Sequence, residues 1–545
     1  MTQRTPPASA WPAQVVADYR RRGVWRGLTL VDALRDVARR TPDAVAIVCG
    51  SRRRTYGQLI ERIDRQAAGW RRLGFAAGDR VVLHMPNVLE FFEVCGALWT
   101  VGVVPVLALP GHRHAELLHF VRQVGARAYV TAPQRGLDVV ELAQIVAREA
   151  GGLDAVVLPE FTDMVRPPAD PATTYVTLAE LDGPPEPHRA SPDAASVALF
   201  QLSGGSTGTP KLIARTHDDY LYSVLQSNAV CRFDASTVYL AALPVAHNFP
   251  LSSPGTLGTL VAGGRVVLAP AASPDVTFPL IADERVTVTA VVPPLLSVWL
   301  AAGRRDATPL RGLTTLQVGG ARLDPELARQ VPEVLGCALQ QVYGMAEGLV
   351  CYTRPGDPPE VVFTTQGRPM SPEDEVRIVD EDDQELGPGQ VGELLTRGPY
   401  TIRGYFEAPE HNAVAFTRDG FYRTGDLATR TADGHVVVQG RVKDQVQRAG
   451  EKIAAPEVEA YLCRHPDVLQ AAVVAVPDRF LGERACAFLV TRGGCPTRAE
   501  IRALFTTLGV AEHKIPDRIV AVPELPTTRV GKVDKRRLQA LATSE

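Results

Sequence analysis

Leu202 to Lys211 reads Leu-Ser-Gly-Gly-Ser-Thr-Gly-Thr-Pro-Lys, directly after the apolar run Val197 to Phe200. The run has the pattern of a buried strand, and the loop behind it has the composition of an anion cradle. Ser203, Gly204, Gly205, Ser206, Thr207 and Gly208 offer backbone N–H groups and hydroxyls, and Lys211 adds a positive charge. That set suits phosphates. The same residues also satisfy G-x-S-x-G, the turn that presents a nucleophilic serine in α/β hydrolases. The common P-loop ends Gly-Lys-Ser/Thr, whereas here Pro210 precedes Lys211 and Leu212 follows it. A hydrolase elbow needs a helix immediately after the serine, and Thr207-Gly208-Thr209-Pro210 is a poor first turn. A plain polar turn fits the stretch as well, because short motifs often match by chance.

Five further stretches hold chemically capable side chains. Gln341 to Glu347 brings Tyr343, Gly344, Met345 and a carboxylate together. Tyr422 to Asp426 sets an acid after a tight turn, and Gly440-Arg441-Val442-Lys443-Asp444 is a charged connector. Arg448 to Lys452 follows it, and Pro526 to Lys532 places a lysine close to the C-terminus. Each alone has an ordinary reading: Asp426 as a helix cap, Glu347 as a surface acid, Lys532 on a solvated face.

The elements that must position these residues follow from pattern. The chain has 545 residues, too many for one core, so two or more domains are expected. Short apolar runs at 44–48, 80–84, 103–108, 265–268 and 286–292 alternate with helix-like segments. This alternation predicts an α/β architecture with largely parallel sheets. Residues 164–193 are rich in Pro, Ala and Asp and read as a surface excursion. Beyond Gly434 the pattern becomes strand, helix, strand, strand, helix, strand, a small α+β domain. The expected domains are 1–440 and 441–545.

A formal net charge of −3 without a basic stripe argues against nucleic acid as the main partner. No apolar run reaches membrane-spanning length, and the first residues lack the apolar centre of a signal peptide. Eight scattered cysteines form no Cys-x-x-Cys pair or Cys/His cluster, which suits free thiols in a cytoplasmic setting.

Taken in order, the six stretches resemble the adenylate-forming superfamily of acyl-CoA synthetases, luciferases and nonribosomal adenylation domains. The resemblance extends over nearly the whole chain. It implies a large N-terminal domain, a small mobile C-terminal domain, and ATP with Mg²⁺ as cofactors. It assigns the Ser203–Lys211 loop to the β- and γ-phosphates and Glu347 to the metal. Tyr343, Gly344 and Met345 with Gly319, Gly320 and Ala321 would form the adenine pocket. Asp426 would accept the ribose hydroxyls, with Arg441 nearby. Lys532 would bridge the substrate carboxylate and the α-phosphate, and Lys443 would be the hinge. Ala449 departs from the family, whose members often have glycine there.

Within the superfamily the chain is most similar to stand-alone aryl acid adenylating enzymes of siderophore and related pathways. The stretch His247-Asn248-Phe249-Pro250-Leu251-Ser252-Ser253 carries this likeness. Amino-acid-activating relatives have an aspartate where Asn248 stands, and a neutral amide cannot pair an ammonium group. His247, Asn248, Phe249, Ser253, Gly320 and Val350 are therefore expected around the aryl acid, with His247 as a further catalytic candidate. Ser253 favours 2,3-dihydroxybenzoate narrowly over salicylate. The expected acceptor is the phosphopantetheine thiol of a separate aryl carrier protein. Free coenzyme A, or a non-catalytic adenylate-binding homologue, remains as an alternative.

Overall fold

The computed structural model of the chain describes residues 11–159, 173–184, 190–203, 210–442, 445–448, 451–478, 481–508, 510, 512–528 and 532–543. Two compact units divide it. The first comprises residues 1–363, 369–374 and 397–422, and the second residues 364–368, 375–396 and 423–545.

The first unit holds a nine-stranded and a seven-stranded sheet. In the nine-stranded sheet, Arg265–Leu268, Val238–Ala241, Val288–Val291, Thr315–Gly319 and Ala338–Met345 are successive parallel neighbours. Antiparallel strands Arg52–Thr55 and Gly348–Tyr352 lie toward its two edges. The seven-stranded sheet runs Thr174–Thr177, Ala155–Leu158, Ala128–Thr131, Arg80–His84, Val104–Ala108, Val197–Leu202, Leu212–Thr216. All its pairings are parallel except the last. The strands expected from sequence recur within two residues at each end.

Some helices lie inside the core because their apolar residues leave no polar face. Leu89–Val101, LEFFEVCGALWTV, is buried at all but two positions, as a helix apolar all round should be. It shares one core with Leu34, Ile63, Trp70 and Tyr220. His217–Cys231 starts on a capping box in which Thr216 and Asp219 satisfy each other's backbone N–H. The 164–193 excursion needs correcting, because Thr174–Thr177 pairs in parallel with Ala155–Leu158. Its Thr-Tyr-Val-Thr has β propensity that the surrounding prolines hid. Residues 164–172 and 185–189 of that stretch lie outside the described residues.

The second unit contains a four-stranded sheet of Glu375–Val379, Gly392–Arg397, Tyr422–Arg430 and Val436–Arg441. Its five-stranded sheet is built on the long antiparallel pair Val468–Asp478 and Gly482–Thr491. Helices Ala455–Leu462 and Arg498–Thr507 bury Val458, Leu462, Ile501 and Phe505 against it. The molecule is thus a mixed α/β protein with a large N-terminal and a smaller C-terminal domain. Among the described residues no helix is long and apolar enough to cross a membrane.

Candidate active site

Ser203 and Lys211 close the mouth of the glycine-rich loop. Ser203 N–H donates to the Lys211 carbonyl at 2.9 Å, and Lys211 N–H donates to Ser203 Oγ at 2.9 Å. The flanking strands pair antiparallel, Leu202 opposite Leu212. A strand, not a helix, therefore follows the loop, which removes the hydrolase reading. Gly204, Gly205, Ser206, Thr207, Gly208 and Thr209 lie outside the described residues, as do Lys443 and Ala449.

The adenine-pocket candidates stand at the ends of two adjacent strands. Gly319 pairs with Val342 across Thr315–Gly319 and Ala338–Met345. Gly320, Ala321 and Gly344 are exposed there, and Tyr343 and Met345 are half-buried. Gly319 is buried, and a side chain on it would lie 3.1 Å from the Phe249 ring. One glycine thus connects the adenine shelf with the ring proposed for the acid.

Glu347 lies in the turn between Ala338–Met345 and Gly348–Tyr352 and is buried. Gly348 has φ of 126°, and an added Cβ would lie 2.5 Å from Thr401 Cα. Leu349 is fully buried with φ of 57°, a left-handed conformation that a bulky residue holds only under external constraint. The constraint comes from residues 400–405. Ile402 N–H donates to the Glu347 carbonyl at 2.7 Å, and Val350 N–H donates to Tyr400 Oη at 3.0 Å. Arg215 Nη1 donates to the Ala346 carbonyl at 2.8 Å while its Nε donates to Asp219. The turn is therefore held from two sides.

The acid-binding candidates cluster on the short helix Asn248–Ser252. His247 caps it, its Nδ1 accepting from Phe249 N–H at 3.2 Å. Asn248 Oδ1 accepts from Tyr220 Oη at 2.9 Å and from Ser252 Oγ at 3.2 Å. Tyr220 accepts in turn from Gln201 Nε2. Burial pushes the Tyr220 phenol up to about 12, so it stays a donor at neutral pH. With Oδ1 engaged, the Nδ2 hydrogens of Asn248 are what the amide offers a ligand. Phe249 and Val350 are buried. Ser253 is buried. Asn87 escaped the sequence reading. Its side chain bonds the carbonyls of Ala241, Leu243 and Ala269 and the N–H of Val245, fixing the segment that leads to His247. Its signal was faint, a single polar residue after a strand.

Asp374 closes the back of the Val350 strand. Tyr400 Oη donates to its Oδ2 at 2.7 Å, and Ser371 N–H donates at 3.2 Å. Its Oδ1 is buried without a hydrogen-bond partner among the described residues. Burial, reinforced by Glu373 and opposed by Tyr400 and Ser371, pushes the carboxyl from 3.8 up to about 7. The native state then binds a proton that the unfolded chain has lost, so stability falls as pH rises from about 4 to 7. Asp374→Asn supplies the neutral isostere. At pH 8 it should be more stable than wild type by roughly 2–4 kcal/mol, with the gain vanishing near pH 4. Thermal melts across that range check it, and a pH-independent difference would refute the titration.

In the second unit, Asp426 and Arg441 face each other across antiparallel strands. Arg441 Nε lies 2.9 Å from Asp426 Oδ1. Lys532 is exposed at the end of a short loop, where Thr528 N–H donates to its carbonyl at 2.6 Å and its own N–H donates to Thr528 Oγ1. The structure thus groups the phosphate-loop ends, Glu347, the adenine shelf and the acid candidates in the first unit. Asp426, Arg441 and Lys532 belong to the second.

The family model described as AMP-binding enzyme matches residues 34–406, and the AMP-binding enzyme C-terminal domain matches 457–532. The chain is 51% identical to a 2,3-dihydroxybenzoate-AMP ligase of Bacillus subtilis, covering 97% of this chain and 96% of that one. It is 46% identical to a salicyl-AMP ligase/salicyl-S-ArCP synthetase of Mycobacterium tuberculosis, covering 97% and 93%. The apo structure of MbtA of Mycobacterium smegmatis superposes with a TM-score of 0.73 at 45% identity, covering 97% and 98%.

Proposed function

This chain belongs to the AMP-binding enzyme family, and from that premise we propose that it activates an aryl carboxylic acid of the 2-hydroxybenzoate type with ATP. The aryl group then passes to a phosphopantetheine thiol, of an aryl carrier protein or of coenzyme A. Siderophore or related nonribosomal peptide assembly is the setting. The observation that carries the acid class is the Asn248 amide, oriented by Tyr220 and Ser252 and neutral where an ammonium-binding site needs charge. Similarity to named aryl acid–AMP ligases along almost the full chain supports it.

In the first step a carboxylate oxygen attacks the α-phosphorus and pyrophosphate leaves. In the second, sulfur attacks the acyl carbon and AMP leaves. Two anions must meet in the first step, so pre-positioned charge dominates its barrier. Ser203, Lys211 and the loop between them hold the β- and γ-phosphates. Gly319, Gly320, Ala321, Tyr343, Gly344 and Met345 form the adenine slot. Asp426 accepts the ribose hydroxyls, its carboxylate kept in place by Arg441. Phe249 and Val350 enclose the aryl ring, Asn248 donates toward the 2-substituent and carboxylate, and His247 and Ser253 flank them. Lys532 bridges carboxylate and α-phosphate. The functional boundary falls near residue 440, with Lys443 as the hinge.

Glu347 fits Mg²⁺, being a buried hard oxygen donor of fixed orientation. Among the described residues no three His, Cys, Asp or Glu side chains gather around a metal position. A Mg²⁺ at Glu347 would complete its shell with phosphate and water oxygens, as Mg²⁺ usually does. It would neutralise charge on the departing pyrophosphate.

ATP–pyrophosphate exchange tests the assignment. Salicylate and 2,3-dihydroxybenzoate should support exchange, and benzoate should be about ten- to a hundred-fold poorer for lack of a 2-hydroxyl. α-Amino acids should give none. Exchange with amino acids alone, or with no acid, would overturn the proposal.

A further inference from the structure

Tyr405 has no role in the reaction as set out above, yet it bonds directly to Glu347. Its hydroxyl donates to Glu347 Oε1 at 2.7 Å and lies 2.8 Å from the Tyr422 hydroxyl. A phenol has one proton. If Tyr405 gives it to Glu347, Tyr422 must be the donor to Tyr405. The result is a directed chain from Tyr422 through Tyr405 to Glu347, with all three side chains buried. Members of such a chain polarise one another.

The backbone of Tyr405 is anchored as firmly as its side chain. Asn412 Oδ1 accepts from Tyr405 N–H at 2.8 Å, and Asn412 Nδ2 donates to the Tyr405 carbonyl at 2.9 Å. The ring packs against His411 and Phe416. Lys211 Nζ stands 5.9 Å from the ring centroid, within cation–π range. One aromatic residue therefore meets the lysine of the phosphate loop on its face and the carboxylate of Glu347 at its hydroxyl.

We propose that Tyr405, backed by Tyr422, is a positioning residue that fixes the plane of the Glu347 carboxylate for a nucleotide-bound divalent cation. A glutamate has three side-chain torsions and loses rotamer freedom when it binds. Two anchors remove that freedom beforehand, the Ile402 N–H on the Glu347 backbone and the Tyr405 phenol on its carboxylate. Tyr405→Phe deletes the second anchor and keeps the ring beneath Lys211. The inference rests on Glu347 being the metal-holding residue, so Glu347→Gln is measured beside it.

The readout is the affinity of the Mn²⁺ complex of α,β-methylene-ATP for the full chain, followed by electron paramagnetic resonance. Tyr405→Phe should weaken it about ten- to 150-fold, the loss expected for a charge-assisted hydrogen bond of roughly 1.5–3 kcal/mol. The Mg²⁺ concentration for half-maximal exchange should rise similarly, and KM for the aryl acid should stay within about two-fold. Tyr405→Phe combined with Glu347→Gln should be no weaker than Glu347→Gln alone, because both remove one unit. If Glu347→Gln weakens Mn²⁺ binding and Tyr405→Phe does not, the positioning role is wrong and the metal assignment stands. If Glu347→Gln leaves Mn²⁺ binding unchanged, the metal assignment fails and the inference falls with it. A lower melting temperature in Tyr405→Phe with unchanged Mn²⁺ affinity would make Tyr405 a packing residue only.

Discussion

Lys532→Ala should lower ATP–pyrophosphate exchange by about 100- to 1000-fold, the scale on which losing one charge-stabilising donor acts. Thiolation of pre-formed aryl adenylate should survive largely intact. Lys532 is exposed, and its loop is closed by backbone contacts with Thr528, so removing the ammonium group leaves the local fold in place. In the proposed reaction its ammonium acts only where carboxylate and α-phosphate approach, which makes the expected defect one of kcat for adenylation. After pyrophosphate has left, the adenylate carries a single phosphate charge and attack comes from a thiol. A lysine on a separate unit can then withdraw without loss, as the resemblance to two-state adenylating enzymes implies. Measuring both half-reactions on one preparation decides the matter. An equal loss in both would mean that Lys532 serves the second step too, and the division of labour between two conformations would be wrong.

How far this was legible in the sequence depends on the kind of signal. Alternating apolar runs located the strands, because a parallel strand buried on both faces reads as an uninterrupted apolar stretch. Arg80–His84 and Arg265–Leu268 occur as expected. Thr174–Thr177 did not declare itself, since an edge strand of four residues with one valine carries too little pattern. The candidate site was legible where a residue type is rare in its setting: glycines with hydroxyls, a carboxylate after Tyr-Gly, an asparagine in an apolar segment. The residues that hold these groups were not. Tyr405, Tyr220, Gln201, Asn87 and Arg215 act through hydrogen bonds to residues 19 to 182 positions away. Contacts of that span depend on sheet order, which local pattern cannot supply. Tyr400 and Asp374 show the same limit, each unremarked in sequence, 26 positions apart and joined by a direct hydrogen bond behind Val350.

Asn248→Asp should lower kcat/KM for salicylate and 2,3-dihydroxybenzoate by at least about 100-fold and leave KM for ATP nearly unchanged. The substitution keeps shape. An aspartate still accepts from Tyr220 and Ser252, so the donors that now serve Asn248 Oδ1 keep a partner. What changes is the atom that replaces Nδ2. A donor becomes a negatively charged acceptor, facing a substrate that brings its own carboxylate. Loss of a hydrogen bond to a charged group costs about 1.5–3 kcal/mol. The added like-charge contact, at about 4 Å and an effective dielectric near 20, costs about 4 kcal/mol more before relaxation. A pKa shift of the new carboxylate would relieve part of it, so the defect should lessen toward low pH. Asn248→Ala separates the two terms, because it removes the donor without adding charge, and it should retain more activity than Asn248→Asp. If the alanine variant is instead the weaker of the two, the charge is not felt by the substrate. Asn248 would then act on the helix Asn248–Ser252 and not on the acid, and the acid class would have to be read from Phe249 and Ser253 alone.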